Sequence, residues 1–256
     1  MEYRLLGPVE VRDDRGEIPL DGAKHRTVLA ALLIAEGSLL SDARLSELLW
    51  GTRPPATFNA QIYNYVSRLR KVLGGQVVIA RRSPGYLMQL GPGSFFDLAE
   101  FGQLATRGRA AQLAGRQEEA GRLLRAALDL WRGPVLANVS EQLTQAEGPA
   151  IEEARITVLE SRIEADLATG LHAEILPELT GLVSRYPLRE RFRAQLMMTL
   201  YRGNRQGEAL ALYERSRQML ADELGIEPGL LLREVHQAIL VGDSALHGPF
   251  EQRLVG

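Results

Sequence analysis

Between residues 57 and 73 the apolar side chains fall where one face of a helix would put them. Ile62, Val66, Leu69 and Leu73 recur at i, i+4, i+7 and i+11, the stripe by which an amphipathic helix enters a core. Phe58, Tyr65 and Val72 flank it. At about 100° per residue, Ala60, Asn64, Ser67 and Lys71 face the other way, with Tyr63 and Arg68 on the shoulders. Gly74-Gly75 follows, a pair suited to the left-handed cap that stops a helix. The pattern predicts a rod that buries one edge and shows small polar groups and a cation on the other. Tyr65 is expected to pack.

The same reading divides the chain before and after this rod. Residues 2–12 alternate as a strand, with Leu5, Val9 and Val11 inward and a break at Gly7-Pro8. "DDRG" at 13–16 is a turn, and Ile18 and Leu20 suggest a short returning strand. From Ala23 the period becomes helical through Val28, Leu29, Leu32 and Leu33 and stops at Gly37. "SDARLSELLW" opens on Ser41 as N-cap, with Leu45, Leu48 and Leu49 as its apolar face. "GTRPP" breaks the chain before the rod. After it, "VVIA" and "YLMQL" read as two strands joined by "RRSPG", a hairpin with arginines at its tip. Strands, three helices and a basic hairpin are the layout of a winged helix-turn-helix, expected over residues 1–92.

From Asp97 onward no strand pattern is present. A weak repeat takes its place: "GRQEEA" (115–120), "GLHAEI" (170–175) and "NRQGEA" (204–209) each set a turn residue ahead of an amphipathic helix. Gly170 and Asn204 are 34 residues apart, the tetratricopeptide period, and both residue types tolerate a left-handed backbone. The first and second turns are 55 apart, and the excess holds "WRGPVLANV" at 131–139. This insert is expected to pack on the solenoid or shape a partner groove, with Trp131 in a core. Residues 227–240 form a closing helix. The fold class is mainly α with a small β component: the winged helix, then an all-α tetratricopeptide-like domain over 95–246 and a tail at 247–256. Stacked helical hairpins present a surface for protein contact.

Charge sharpens the picture. The chain has a net charge of −2, yet residues 48–96 hold Arg53, Arg68, Arg70, Lys71, Arg81 and Arg82 and no Asp or Glu. A basic island in an otherwise acidic chain points to a polyanion; the plainer reading is a solvated face. On the outer face of the third helix, Asn64 suits adenine, and Arg68 or Lys71 reaches guanine or phosphate. Ser67 keeps that face thin. Thr57 and Asn59 sit at the helix start, where phosphates bind. Lys24, His25 and Arg26 are expected to clamp the DNA backbone from the first helix, and Arg81 and Arg82 to do so from the wing.

Candidate chemistry is sparse. Cysteine is absent, so thiolate metal sites and disulfides are excluded and a reducing cytoplasm is the expected setting. The four histidines form no pair with metal-ligand spacing. "GPGS" at 91–94 lacks the Lys-Ser/Thr of a phosphate-binding loop and reads as a linker. No signal peptide and no bilayer-spanning run is expected. No catalytic residue, metal or cofactor is expected.

Several separated stretches also resemble one family. "LLW" (48–50) before a Pro-containing linker, "VSRLRK" (66–71), "SPGY" (83–86), "FFDLAEF" (95–101) and "LADELGIEP" (220–228) are similar, in order, to the Streptomyces antibiotic regulatory protein family. The resemblance implies an OmpR-type winged helix coupled to a bacterial transcriptional activation domain. It further implies a transcriptional activator that binds double-stranded DNA as a pair of protomers on promoter direct repeats. Recruitment of RNA polymerase holoenzyme and control of a secondary-metabolite (antibiotic) gene cluster follow from the same resemblance. Larger members append a nucleotide-hydrolysing module, which is not expected in 256 residues. Two alternatives stay open: a protein-interaction adaptor whose basic hairpin meets an acidic partner, and a ligand-sensing role for the helical repeats.

Overall fold

The computed structural model describes residues 1–243 and Leu246, with the backbone alone at Gln76. The expected tail at 247–256, with His247, lies outside the described residues. Two compact units form, one of Met1–Leu104 with Ala126–Ile156, the other of Ala105–Arg125 with the chain from Thr157 onward.

In the first unit, β1 (Glu2–Arg4), β2 (Glu10–Asp13) and β3 (Gly16–Glu17) make an antiparallel run, and β7 (Phe95–Phe96) adds to β1 in parallel. The returning strand is shorter and earlier than the apolar pair Ile18 and Leu20 suggested, and only the Ile18 N–H still reaches across, to Val11 O at 2.8 Å. Helices α1 (Gly22–Ile34), α2 (Asp42–Trp50) and α3 (Phe58–Leu73) follow. A second sheet sets β4 (Leu40–Ser41), β6 (Gly85–Leu90) and β5 (Val77–Arg82) side by side in that order. Leu29, Leu32, Leu45, Leu49, Ile62, Leu69 and Leu73 fill the core where the three helices meet.

Asp97 explains the "FFD" stretch. It opens α4 (Asp97–Leu113), is 1 % exposed, and accepts from the Leu5 N–H at 2.7 Å and the Leu6 N–H at 2.9 Å. Burial raises its pKa, and these N–H groups, with Arg132 3.7 Å away, oppose the rise. The carboxylate thereby satisfies the backbone where β1 breaks off.

The insert at 131–139 belongs to this unit, not to the helical repeats. Its backbone runs beside the break at Gly7: the Arg132 N–H donates to Leu6 O at 2.8 Å and the Leu136 N–H to Leu5 O at 3.2 Å. Asn138 completes the pairing with its amide, accepting from the Val9 N–H at 2.7 Å and donating to Val9 O at 3.2 Å. Trp131 is half-buried, edge-on to Phe101 at 5.6 Å and under the Arg155 guanidinium at 4.6 Å. Contacts made by backbone groups carry no hydrophobic period, so the pattern could not announce them.

In the second unit the repeat is visible as one recurring turn. Gly115, Gly170 and Asn204 have φ of 75°, 86° and 58°. At each, the next N–H bonds five residues back: Arg116 to Ala111 O, Leu171 to Asp166 O and Arg205 to Leu200 O, each at 2.9 Å. This is the hydrogen bond that closes a helix on a left-handed residue. Helices α5 (Gln117–Leu128), α7 (His172–Arg185) and α9 (Gln206–Leu224) start from these turns, opposite α6 (Glu141–Ala168) and α8 (Glu190–Arg202); α10 (Leu230–Val241) closes the array. Charged groups on α6 are buried in pairs. Glu164, 2 % exposed, accepts from Gln112 at 3.1 Å and Arg191 at 2.8 Å, and Asp166 accepts from Arg125 and Arg162. Such groups are tolerated inside because each has its partners.

Candidate nucleic-acid interface

Ser41 caps α2, its hydroxyl accepting from the Arg44 N–H at 3.1 Å, and Gly51 ends that helix at φ 63°. The chain then crosses "TRPP" and enters α3 from Thr57. The buried residues of α3 are Ile62, Val66, Leu69 and Leu73, the four of the apolar stripe. With that edge fixed, the opposite edge turns outward as geometry requires.

All six expected contact residues of this region, Thr57, Asn59, Asn64, Ser67, Arg68 and Lys71, are exposed. Thr57 accepts from the Gln61 amide at 3.2 Å. Arg68 lies 3.8 Å from Asp21, both side chains mostly in solvent, a pairing of little strength. Asn59, Asn64, Ser67 and Lys71 make no ion pair or side-chain hydrogen bond among the described residues. At the helix start the Asn59 and Ala60 N–H groups likewise have no backbone acceptor among them. Two hollows border this face. One of about 520 Å³ is lined by Gln61, Asn64, Tyr65, Ser67 and Arg68; another of about 350 Å³ includes Asn59 and Tyr63.

The wing is tighter than "RRSPG" suggested. Strand pairing continues through Arg81 with Tyr86 and Arg82 with Gly85, so only Ser83-Pro84 forms the turn. Neighbouring strand residues point to opposite faces. Arg82 is exposed, with no side-chain partner among the described residues, whereas Arg81 is held by Asp42. Arg70, on the inner shoulder of α3, donates its Nε to Ile79 O at 2.8 Å. It thereby covers a carbonyl of the edge strand β5, which would otherwise invite pairing.

Lys24, His25 and Arg26, expected to clamp the DNA backbone, each have partners within the fold. The Lys24 ammonium donates to Leu49 O and lies 5.3 Å from the Trp50 ring centroid. Helix α2 has no basic residue in its last turn, so Lys24 supplies from α1 the cation a helix C-terminus favours. His25 is 7 % exposed, bonds Asp21 O through Nδ1, and meets Tyr65 edge-on at 4.9 Å. Arg26 donates to Asn138 O at 2.9 Å and Leu20 O at 3.1 Å. Sequence shows cations here but not the carbonyls that claim them.

Three residues join the candidate set from structure. Tyr63 is 59 % exposed on the outer face of α3. Arg53 is exposed before the helix and belongs to the acid-free segment, which was signal enough. Asp42 was hidden because it lies just outside that segment, in an acidic stretch. Among the described residues no group of three His, Cys, Asp or Glu is arranged to hold a metal, and no helix is long and apolar enough to cross a membrane.

Comparison with known proteins accords with this geometry. The family model described as "Transcriptional regulatory protein, C terminal" matches residues 17–88, and the model for the bacterial transcriptional activator domain matches residues 96–240. An OmpR-type DNA-binding winged helix followed by that domain defines a transcriptional regulator. The chain belongs to the Streptomyces antibiotic regulatory protein family. It is 42% identical to regulatory protein AfsR of Streptomyces coelicolor over 96% of this chain and 25% of AfsR. To regulatory protein DnrI of Streptomyces peucetius it is 33% identical, over 97% of this chain and 96% of DnrI. The chain thus spans about a quarter of its AfsR relatives and nearly all of DnrI. The solved structure of Mycobacterium tuberculosis EmbR, in complex with a low affinity phosphopeptide, superposes with a TM-score of 0.89 at 37% identity, over 94% of this chain and 65% of that one.

Proposed function

We propose that this protein activates transcription by binding promoter direct repeats as a pair of protomers and recruiting RNA polymerase holoenzyme, at a secondary-metabolite gene cluster. One observation carries the DNA contact: α3 is braced by four buried apolar residues while Asn59, Asn64, Ser67 and Lys71 stay exposed and uncommitted. Helix α3 enters the major groove, with Asn64 on a base edge and Ser67, Arg68 and Lys71 on bases or phosphate. Thr57, Asn59 and the open N–H groups beside them hold a phosphate at the helix start. Arg82 meets the backbone from the wing, with Arg81, held by Asp42, beside it. Lys24, His25 and Arg26 are left out of the interface.

Pairing of protomers follows from magnitudes. One winged helix reads few base pairs, and each wrong one costs roughly 1–3 kcal/mol, so useful discrimination comes from adjacent occupied sites. Relatedness to AfsR, DnrI and RedD, named as regulators in Streptomyces, supports the choice of target class. The test is titration of a labelled random duplex at several salt concentrations, followed by footprinting on duplexes enriched from a random pool. Salt-sensitive binding and a footprint of two repeated half-sites are expected. Salt-independent binding, or none, would overturn the reading.

A further inference from the structure

The two wing arginines differ in what holds them. Arg81 meets Asp42, the first residue of α2, with both ends of its guanidinium: Nη1 to Oδ1 at 2.6 Å and Nη2 to Oδ2 at 2.7 Å. Nη1 also donates to Gly85 O at 3.3 Å, and the guanidinium lies 4.7 Å from the Tyr86 ring centroid. The platform beneath is tight. The Asp42 N–H donates to Pro84 O at 2.9 Å, and Leu40 and Ser41 pair with Tyr86 and Gly85. A Cβ on Gly85 would stand 2.0 Å from Leu40 O, so only glycine allows this crossing. The wing turn therefore cannot slide past the start of α2. The ion pair lines the same 350 Å³ hollow as Asn59 and Tyr63 of α3.

From this geometry, and resting on the DNA-binding reading above, we propose that Asp42 is a specificity-determining residue. It holds Arg81 as a fixed donor of neutralised charge in the wing, which limits the grip on arbitrary DNA. A guanidinium has five N–H donors. Asp42, the Gly85 carbonyl and the Tyr86 hydroxyl engage most of this set without exhausting it, so a phosphate in the hollow meets the directed N–H that remains, with no net charge behind it. Binding to arbitrary sequence rests almost wholly on net charge. The carboxylate therefore penalises that mode more than a complex in which the wing is seated in register. Asp42 is not needed as the helix cap, since Ser41 already fills that role.

The experiment compares wild type, Asp42→Asn, Asp42→Ser, Arg81→Ala and the Asp42→Asn/Arg81→Ala double variant. Each is titrated with a random-sequence duplex and with a duplex enriched by the wild-type protein from a random pool. Releasing Arg81 adds one phosphate contact, so both Asp42 variants should steepen log K against log salt on random duplex by about 0.9. Their affinity for it rises severalfold at low salt, and preference for the enriched duplex falls by a similar factor. In the Arg81→Ala background, Asp42→Asn should change neither quantity. An unchanged slope in both Asp42 variants overturns the proposal. So does an equal gain when Arg81 is absent, which would mark a general loss of negative charge. A wild-type protein without salt-dependent binding overturns the DNA reading itself, whereas a normal wild-type slope that neither Asp42 variant alters removes only the role given to Asp42.

Discussion

Two short basic stretches of the first unit look alike in sequence and end in opposite conditions. Lys24-His25-Arg26 begins α1, and Arg68 to Lys71 lies on α3. The first stretch is drawn inward by carbonyls at Leu49, Asp21, Asn138 and Leu20. In the second, Arg70 caps a strand carbonyl, while Arg68 and Lys71 remain in solvent. Whether a cation reaches a ligand is decided by the acceptors within its reach, and some of those come from distant parts of the chain. Asn138 is 112 residues from Arg26.

The largest expected effect breaks the inward stretch. Arg26→Ala removes two hydrogen bonds from a charged donor, each worth roughly 1.5–3 kcal/mol. A loss of about 3 kcal/mol in stability is expected by denaturant unfolding, with no change in the salt dependence of DNA binding. A variant as stable as wild type but with a shallower salt slope would reverse the comparison. Next comes Asn64→Ala on the outward face. It should cost about 1–3 kcal/mol at one base pair and relax preference there alone, while the unfolding midpoint stays put. Selection from a random pool reads this directly. Loss at every position would mean that Asn64 orients the helix and does not read a base.

Lys24 offers a smaller and pH-dependent test. Burial lowers its pKa from the ordinary lysine value. The folded state then releases this proton before the unfolded chain does, so stability rises with pH through the alkaline window just below that value. Lys24→Met should abolish that rise. At neutral pH it should cost about 1 kcal/mol through the lost helix-end cation and ring contact. Unfolding measured across alkaline pH distinguishes it from Arg26→Ala, which should keep the rise.

Legibility in the sequence followed the kind of force at work. The α3 stripe, the Ser41 cap and the three left-handed turns were readable because each rests on a side-chain period or a local backbone demand. The exposure of Asn64, Ser67 and Lys71 then followed from the stripe by geometry. Contacts made through backbone groups were not readable. The seating of residues 131–139 beside Gly7, the anchoring of Leu5 and Leu6 by Asp97, and the carbonyls that claim Lys24 and Arg26 leave no hydrophobic signature. The Asp42–Arg81 pair spans 39 residues and joins a helix start to a strand. Asp42 precedes the acid-free segment and Arg81 lies within it, so along the chain their charges look unrelated.

Lys71→Ala is the mildest perturbation and the sharpest discriminator of the two stretches. The side chain is exposed, on the last turn of α3, and uncommitted among the described residues. Its removal should leave stability within about 0.5 kcal/mol, the usual range for surface changes. If it holds a phosphate, the slope of log K against log salt falls by about 0.9, and affinity drops alike on every sequence. Lys24→Met, with the same formal loss of charge, should leave that slope alone. Equal slopes for both variants would mean that binding senses only total charge, and the difference drawn between inward and outward cations would have no bearing on DNA. A fall confined to one sequence would instead place Lys71 on a base edge, moving the phosphate contact to Arg68 or Arg82.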